Sequence, residues 1–327
     1  MKTITGILVA YALAAPAAPA AAQGHYEYQI ERIISSALTL AADALDDAVA
    51  DRAARQRGPA RGRETRGPEY TEKFDKTVRL GRNGRLELTN LSGNVEITGG
   101  SGDDVKVSAT KVAHAADEQT ARNALTATTI EVIERSGVVT ISAQPTRGRS
   151  TSVEVNYVIS VPTGTSLALR TYSGDVTVTN VSSDIRLNSL SGDIVVKDGK
   201  PSMIEIDSVS GDVSLEQAES ERIQVNSVSG DIVFKGKLAK TGRYEFKTHS
   251  GDVQVITDGG ASFVLEAGTL SGDVSSDFAL KLTGSGTSFL PRDRGPRRNG
   301  DIHGVVSDGG AVLSLHSFSG DILISKR

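Results

Sequence analysis

Seven copies of the tripeptide Ser-Gly-Asp place carboxylates at regular intervals along the second half of the chain. A column of carboxylates could coordinate calcium, which takes roughly 6–8 oxygen ligands. It could instead accept hydrogen bonds from turn N–H groups, as Asx-type turns do. No second carboxylate column accompanies the first, so we interpret the aspartates as a structural turn column and expect no metal and no other cofactor. The members of this turn column are Asn94, Asp175, Asp193, Asp212, Asp231, Asp252, Asp273 and Asp321.

Glutamates and histidines provide the other candidates for chemistry. Glu205, Glu245 and Glu266 each lie seven residues before an aspartate of the motif. If their repeats are adjacent, Glu245 and Glu266 would lie about 5 Å apart, the separation of a retaining glycosidase pair. They would stand on an outer sheet face, however, and nothing in the sequence builds a cleft around them. The histidines lack metal-ligand spacing, although His303 and His316 could meet across repeats. We therefore predict that the protein is not an enzyme, with an envelope glycan hydrolase or lyase as the alternative.

The spacing of the motif predicts the architecture. Successive aspartates from Asp175 to Asp273 are 18, 19, 19, 21 and 21 residues apart, which is typical of a repeat protein. Apolar residues alternate on both sides of each motif, as in strands with one buried face. Four residues before each aspartate stands a hydroxyl, a structural hydroxyl column that suits stacked parallel strands better than a meander of hairpins. The hydroxyl column consists of Thr171, Ser189, Ser208, Ser227, Thr248, Thr269 and Ser317.

We therefore predict a mainly β protein, a β-solenoid or β-helix-like stack of ~20-residue repeats. This domain occupies residues 72–327, with the regular repeats over 165–327. Residues 115–127 have the composition of a short inserted helix.

Residues 1–22 are typical of a secretory signal peptide. Lys2 is followed by an apolar stretch and by small residues before Gln23. The apolar run is shorter than the ~18–20 residues that span a membrane, and we predict no transmembrane segment in the mature chain. The protein is therefore expected to be exported. We favour the periplasm, with the cell surface or secretion as alternatives.

Residues 23–55 are predicted to form an amphipathic helix. Its apolar face either packs on the main domain or binds a partner, and the candidate partner-binding residues are Ile30, Ile33, Ile34, Leu38 and Leu45. Residues 56–71 are predicted to be a disordered basic linker, and a second basic stretch lies at 291–299. Either stretch could contact an anionic envelope polymer.

Composition excludes several classes of protein. The chain of 327 residues carries a formal net charge of −4, which argues against nucleic acid as a partner. It contains no cysteine, which excludes disulfide frameworks, zinc fingers and iron–sulfur sites. Aromatic residues are only 4% of the chain, which is consistent with a slender aliphatic core.

One family resemblance adds to these predictions. The segment VPTGTSL at 161–167, followed by RTYSGDV at 170–176 and the Ser-Gly-Asp series, resembles a bacterial family of unknown function named "putative adhesin". The resemblance covers roughly residues 72–327. It implies an exported or envelope domain of β-strand repeats with a β-solenoid-like fold, and it supplies no catalytic residues. We expect an interaction scaffold or adhesin that binds an envelope protein or polymer.

Overall fold

The computed structural model describes residues 68–144, 152–282 and 302–327. The predicted signal peptide (1–22), the predicted amphipathic helix (23–55), most of the predicted linker and the basic stretch at 291–299 lie outside the described residues.

The described chain is almost entirely β-structure. Its first strands are β1 (Glu69–Arg79), β2 (Arg85–Asn90), β3 (Val95–Gly100), β4 (Asp104–His114), β5 (Thr129–Arg135), β6 (Val138–Gln144), β7 (Val153–Pro162), β8 (Ser166–Thr171), β9 (Val176–Thr179), β10 (Ile185–Ser189), β11 (Ile194–Lys197) and β12 (Met203–Ser210). They continue with β13 (Val213–Glu216), β14 (Arg222–Ser229), β15 (Ile232–Lys235), β16 (Arg243–Ser250), β17 (Val253–Thr257), β18 (Phe263–Ser271), β19 (Val274–Ser276), β20 (Lys281–Leu282), β21 (Ile302–Val306), β22 (Ala311–Ser319) and β23 (Ile322–Lys326). One helix, α1 (Glu118–Ala127), lies within the range 115–127 predicted for a short helix.

The strands form two long sheets. Sheet I has 11 strands in the order β1-β4-β7-β3-β9-β11-β13-β15-β17-β23-β19. Sheet II has 12 strands in the order β20-β21-β18-β22-β16-β14-β12-β10-β8-β2-β6-β5. From β8 to β17, consecutive strands alternate between the two sheets, so each repeat contributes one strand to each.

Neighbouring repeats pair in parallel. Ile185 of β10 is opposite Ile204 of β12 in sheet II, and Ile194 of β11 is opposite Val213 of β13 in sheet I. A meander of hairpins would have produced antiparallel neighbours. The prediction of a mainly β, solenoid-like fold is therefore confirmed, and each pair of consecutive strands is hereafter called a coil.

A single apolar core runs between the two sheets. The residues that flank each motif with period two point inward, and Ile185, Leu187, Ile194 and Val196 are at most 1% exposed. Each such side chain contributes about 1.5–3 kcal/mol through burial. Buried aromatic side chains pair at two levels of the core, where the rings of Phe234 and Tyr244 lie 5.6 Å apart and those of Phe263 and Phe278 lie 5.2 Å apart.

Antiparallel strands and α1 close the amino-terminal end of the stack. β1 pairs with β4, and β4 pairs with β7, both antiparallel. Asp117 caps α1 by accepting a hydrogen bond from the N–H of Thr120, which also lowers the pKa of its carboxyl group. The ammonium of Lys111 on β4 donates to Leu125 O and Thr128 O, at 2.8 and 2.9 Å, at the other end of the helix.

The order of the coils in space departs from their order in the sequence. The last coil, β22–β23, lies between the coil β16–β17 and the coil β18–β19. β18 pairs in parallel with β22 on one side and antiparallel with β21 on the other. The turn column therefore runs from Asp252 to Asp321 and ends at Asp273.

Candidate interaction faces of the solenoid

The turn column forms a continuous hydrogen-bonded ladder along one corner of the solenoid. Oδ1 of Asp193 accepts a hydrogen bond from the backbone N–H of Asp212 at 2.9 Å, and Oδ1 of Asp212 accepts one from Asp231 at 2.8 Å. The same bond joins every adjacent pair from Asn94 to Asp175, Asp193, Asp212, Asp231, Asp252, Asp321 and Asp273. These bonds run between coils rather than within one turn, so the carboxylates tie neighbouring coils together.

Asn156 of β7 begins this ladder, because its Oδ1 accepts a hydrogen bond from the N–H of Asn94 at 2.8 Å. The sequence does not single out Asn156, since it stands outside any Ser-Gly-Asp segment. No group of three or more His, Asp or Glu side chains in the described ranges is arranged to hold a metal ion.

The glycine that precedes each residue of the turn column is required by the close approach of the coils. Gly211 has φ +118°, and a Cβ at this position would lie 2.2 Å from Gly192 O of the preceding coil. Gly230 has φ +138°, and its Cβ would lie 2.1 Å from Gly211 O. Only glycine combines this backbone conformation with so short a distance.

The hydroxyl column lies on the inner side of the same corner and is buried throughout. Thr248, Thr269 and Ser317 donate to the glycine carbonyl of the preceding coil, at 3.2, 2.9 and 3.1 Å. The hydroxyl oxygens of the remaining members have no hydrogen-bond partner in the described chain: Thr171, Ser189, Ser208 and Ser227. The column therefore lines the corner from inside and is not accessible to a ligand.

A row of apolar side chains, here called the rim row, lies on the outer side of this corner. Its members occupy the position three residues before each turn residue and are half-buried or exposed: Leu91, Tyr172, Leu190, Val209, Val228, His249, Phe318 and Leu270. The rings of His249 and Phe318 are stacked with centroids 4.6 Å apart. Burial lowers the pKa of His249, because the charged imidazolium would lose hydration there.

The outer surface of sheet II next to the rim row carries two rows of polar side chains, here called the polar face. Its members are Arg186, Glu205, Gln224, Glu245, Ser314 and Glu266 in the first row, and Asn188, Asp207, Asn226, Lys247 and His316 in the second. Asn226 is buried, and the other members are half-buried or exposed.

Cross-strand and same-strand bonds connect the side chains of the polar face. Asn226 Nδ2 donates to Asp207 Oδ1 at 2.8 Å, and Arg186 pairs with Glu205 at 3.2 Å. Lys247 and Glu245 form an ion pair along β16. The side chains are therefore held in place before any partner arrives, which lowers the entropy cost of binding.

The positions of the glutamates and histidines correct two predictions. Glu245 and Glu266 are not on adjacent strands, because Ser314 of β22 lies between them. Two strand spacings separate their Cα atoms by about 9.6 Å, so the predicted retaining pair is wrong. His316 and His303 do not meet either, since β18 separates them and Gly268 and Glu266 respectively lie opposite them.

A shallow groove of about 520 Å³ lies on the opposite side of the stack, between loops of three successive coils. Lys200, Glu219 and Lys240 are among the residues that line it. Lys200 pairs with Glu219 at 2.9 Å and lowers the pKa of that carboxyl group. The ion pair spans two coils and has the geometry of an exposed structural contact.

A family model for Toastrack DUF4097 matches residues 126–325, which is more than half of the chain. The chain belongs to the Toastrack DUF4097 family. This confirms the resemblance to a bacterial family of unknown function. No curated protein matches the sequence. Among the described helices, none is long and apolar enough to cross a membrane.

The chain is also similar to several solved structures. A protein from Clostridium sporogenes, described as a putative cell adhesion protein, is 10% identical, with 79% of this chain and 100% of that chain covered and a TM-score of 0.36. A "putative adhesin" from Bacteroides fragilis is 12% identical, with 78% and 97% covered and a TM-score of 0.36. A protein from Parabacteroides distasonis, described as a putative lipid binding protein, is 12% identical, with 77% and 96% covered and a TM-score of 0.30.

Proposed function

We propose that this Toastrack protein is a non-enzymatic interaction scaffold of the cell envelope that holds an envelope glycan on its polar face. The observation that carries the proposal is the polar face itself, where bonded amide, carboxylate, ammonium and imidazole groups lie in rows beside an apolar row. Such groups donate and accept hydrogen bonds to hydroxyls, and the flat apolar rim row can cover the carbon face of a sugar ring.

The repetition of the face favours a polymer over a small molecule. Equivalent positions recur every ~4.8 Å along the stack, so an extended chain meets a polar side chain at each successive coil. A small-molecule site is normally a deep, mostly apolar pocket, whereas the polar face is the outer surface of a sheet. The Ser-Gly-Asp repeats, on this proposal, serve to keep the coils in register beneath the face.

The test compares one glutamine on each sheet. Gln224 lies in the polar face, whereas Gln254 lies on the outer surface of sheet I, and both are half-buried. Gln224→Arg would place a long charged side chain across the polar face, and Gln254→Arg is the matched control. Binding of the mature chain to isolated cell-wall sacculi and to purified surface polysaccharide would be measured by co-sedimentation and calorimetry.

We expect Gln224→Arg to weaken binding at least tenfold and Gln254→Arg to leave it unchanged. Equal binding by both variants, or no binding of either polysaccharide by the wild-type chain, would rule out the polar face as a glycan site.

The predicted signal peptide supports a location of this activity in the envelope, and we favour the periplasm. Protease treatment of intact cells, followed by an immunoblot, tests this location against a lysed control. A periplasmic scaffold would be degraded only after lysis, and degradation on intact cells would mean display at the surface.

A further inference from the structure

We propose that two copies of this chain associate edge to edge through β1, which pairs antiparallel with β1 of the second copy about a two-fold axis at Phe74. β1 is the end strand of sheet I and, among the described residues, pairs with β4 alone. At 11 residues it is one of the two longest strands of the described chain. The inference is independent of the glycan proposal, because β1 lies at the end of the other sheet.

The backbone of β1 directs alternate hydrogen-bonding groups to its free edge. Just beyond the strand, the N–H of Leu80 donates to Asp103 O at 2.9 Å, in register with the pairing of Arg79 and Asp104. Even-numbered residues of β1 therefore face β4, and odd-numbered residues face outward. The next strands of the sheet agree with this assignment. The N–H of Tyr157 on β7 donates to Asn94 O at 2.8 Å, away from β4, so the even-numbered residues of β7 face β4. The registers of β7 with β4 and of β4 with β1 then require the even-numbered residues of β1 to face β4.

A two-fold axis at Phe74 satisfies this alternation. Phe74 would oppose its own copy as a non-hydrogen-bonded pair, in which side chains approach closely. The outward groups of the odd-numbered residues would then pair with one another: Glu69, Thr71, Lys73, Asp75, Thr77 and Arg79. The result is a regular antiparallel ladder over the full length of β1.

The side chains of β1 are self-complementary in this register alone. The opposed pairs are Glu69 with Arg79, Tyr70 with Val78, Thr71 with Thr77, Glu72 with Lys76, Lys73 with Asp75, and Phe74 with itself. Every charge meets the opposite charge, and each apolar side chain meets an apolar one. Cross-strand pairs of this kind each contribute roughly 0.2–1 kcal/mol.

Neighbouring registers are unfavourable. Moving the axis by half a residue is not allowed. It would place the outward N–H and C=O groups of one β1 strand opposite residues of the second β1 strand whose N–H and C=O groups face β4. Moving it by one residue would oppose Lys73 with its own copy in one direction, or Asp75 with its own copy in the other. Like charges directly opposite one another destabilise a sheet. The charges on β1 therefore specify one partner and one register.

The intramolecular contacts of β1 are compatible with this pairing. Glu72 accepts a hydrogen bond from Lys111 of β4 at 2.8 Å, and Lys76 donates to Val132 O of β5 at 2.7 Å. Both contacts lie within one chain. The Glu72 side chain is still 44% exposed. Tyr70, Phe74 and Val78 are half-buried, so a second copy would cover the apolar surface that the core leaves accessible.

The first test measures the mass of the mature chain in solution as a function of concentration. We expect the wild type to show twice the mass of one chain at micromolar concentrations. Thr77→Pro removes an N–H that points to the free edge and leaves the pairing of β1 with β4 unchanged. Lys73→Asp places an aspartate opposite Asp75 of the second copy. Each should weaken association at least tenfold while the melting temperature stays within a few degrees. The double variant Lys73→Asp with Asp75→Lys restores opposite charges and should restore the dimer.

The second test fixes the register. Because the chain contains no cysteine, introduced thiols report only the designed contact. Thr71→Cys combined with Thr77→Cys should form a cross-linked dimer under mild oxidation, since the two positions oppose each other across the axis. Either single variant should remain uncrosslinked, because its thiols would lie about 20 Å apart. A monomeric wild type, a dimer that Thr77→Pro and Lys73→Asp leave intact, or equal cross-linking by the single variants would overturn the proposal.

Discussion

The glycines that precede the residues of the turn column determine how closely the coils approach. Gly211→Ala would combine an unfavourable φ with a Cβ 2.2 Å from Gly192 O, so the backbone of two coils would have to move. We expect a loss of at least about 3 kcal/mol of unfolding free energy. Gly102→Ala is the matched control, since φ is +141° but no atom lies within 4 Å of its Cβ. It should cost only about 1–2 kcal/mol in urea denaturation, and equal losses would argue against close approach as the cause.

The aspartates combine a useful hydrogen bond with an unfavourable charge. Asp212→Ala removes the acceptor for the N–H of Asp231 and should cost about 0.5–1.5 kcal/mol. Asp212→Asn keeps that acceptor and removes repulsion between carboxylates about 4.8 Å apart, which is worth about 1 kcal/mol per neighbour in water. We expect the asparagine variant to equal or exceed the wild type in stability, with a difference that shrinks in high salt.

Asn94 and Asn156 already show that an amide can serve in this ladder. Urea denaturation of the three proteins at low and high salt would measure the effect. If Asp212→Asn lost as much stability as Asp212→Ala, the carboxylate charge itself would be required, as in a cation site.

At the level of elements, the attachment of α1 depends on one buried lysine. Lys111 is 7% exposed and supplies donors to the last turn of the helix while pairing with Glu72. Lys111→Met would leave these carbonyls and a carboxylate without their donor, and we expect a loss of about 3 kcal/mol or more. Hydrogen exchange in α1 should accelerate accordingly.

The control for this change lies in the same helix. Arg122 pairs with Glu118 at 2.8 Å on the exposed surface, four residues apart. Arg122→Met should therefore change stability by less than about 0.5 kcal/mol. Similar effects of both substitutions would show that Lys111 is not the attachment point of the helix.

The sequence predicts local features of this fold well and the contacts between distant segments poorly. Strand alternation, the position of α1 and the parallel stacking follow from periodicity, because each depends on residues within about one repeat. Lys111 reaches α1 from a strand that contains no unusual pattern, and Asn156 joins the turn column from outside any repeat. Neither contact leaves a signal at fixed spacing.

The order of the last coils shows the same limit at the level of the whole molecule. The coils that contain Asp273 and Asp321 carry the same alternation, so the sequence pattern does not decide which of them follows the coil that contains Asp252. The predicted proximity of Glu245 and Glu266 depended on sequence order and was therefore wrong. The sign of the altered order in the sequence is the separation of 48 positions between Asp273 and Asp321, more than twice the usual spacing.

This order predicts unusual protection of the carboxyl terminus against hydrogen exchange. β22 and β23 each have paired strands on both sides, whereas β19 and β20 lie at the ends of their sheets. We expect amides of residues 311–326 to exchange as slowly as those of β16 and β17, and amides of β19 and β20 to exchange faster although they come earlier in the chain. Mass-spectrometric exchange of the mature protein measures this directly.

A truncation separates this arrangement from a simple sequential stack. Ending the chain at Ser319 removes β23, whose Ile322 and Ile324 are fully buried between β17 and β19. Because each buried isoleucine contributes about 1.5–3 kcal/mol, we expect loss of protection in β18 and β19 as well, although neither strand is deleted. Ending the chain at Ser325 removes only Lys326 and Arg327 and should leave both strands protected. If β19 kept its protection without β23, it would have to pair directly with β17, in the order of the sequence.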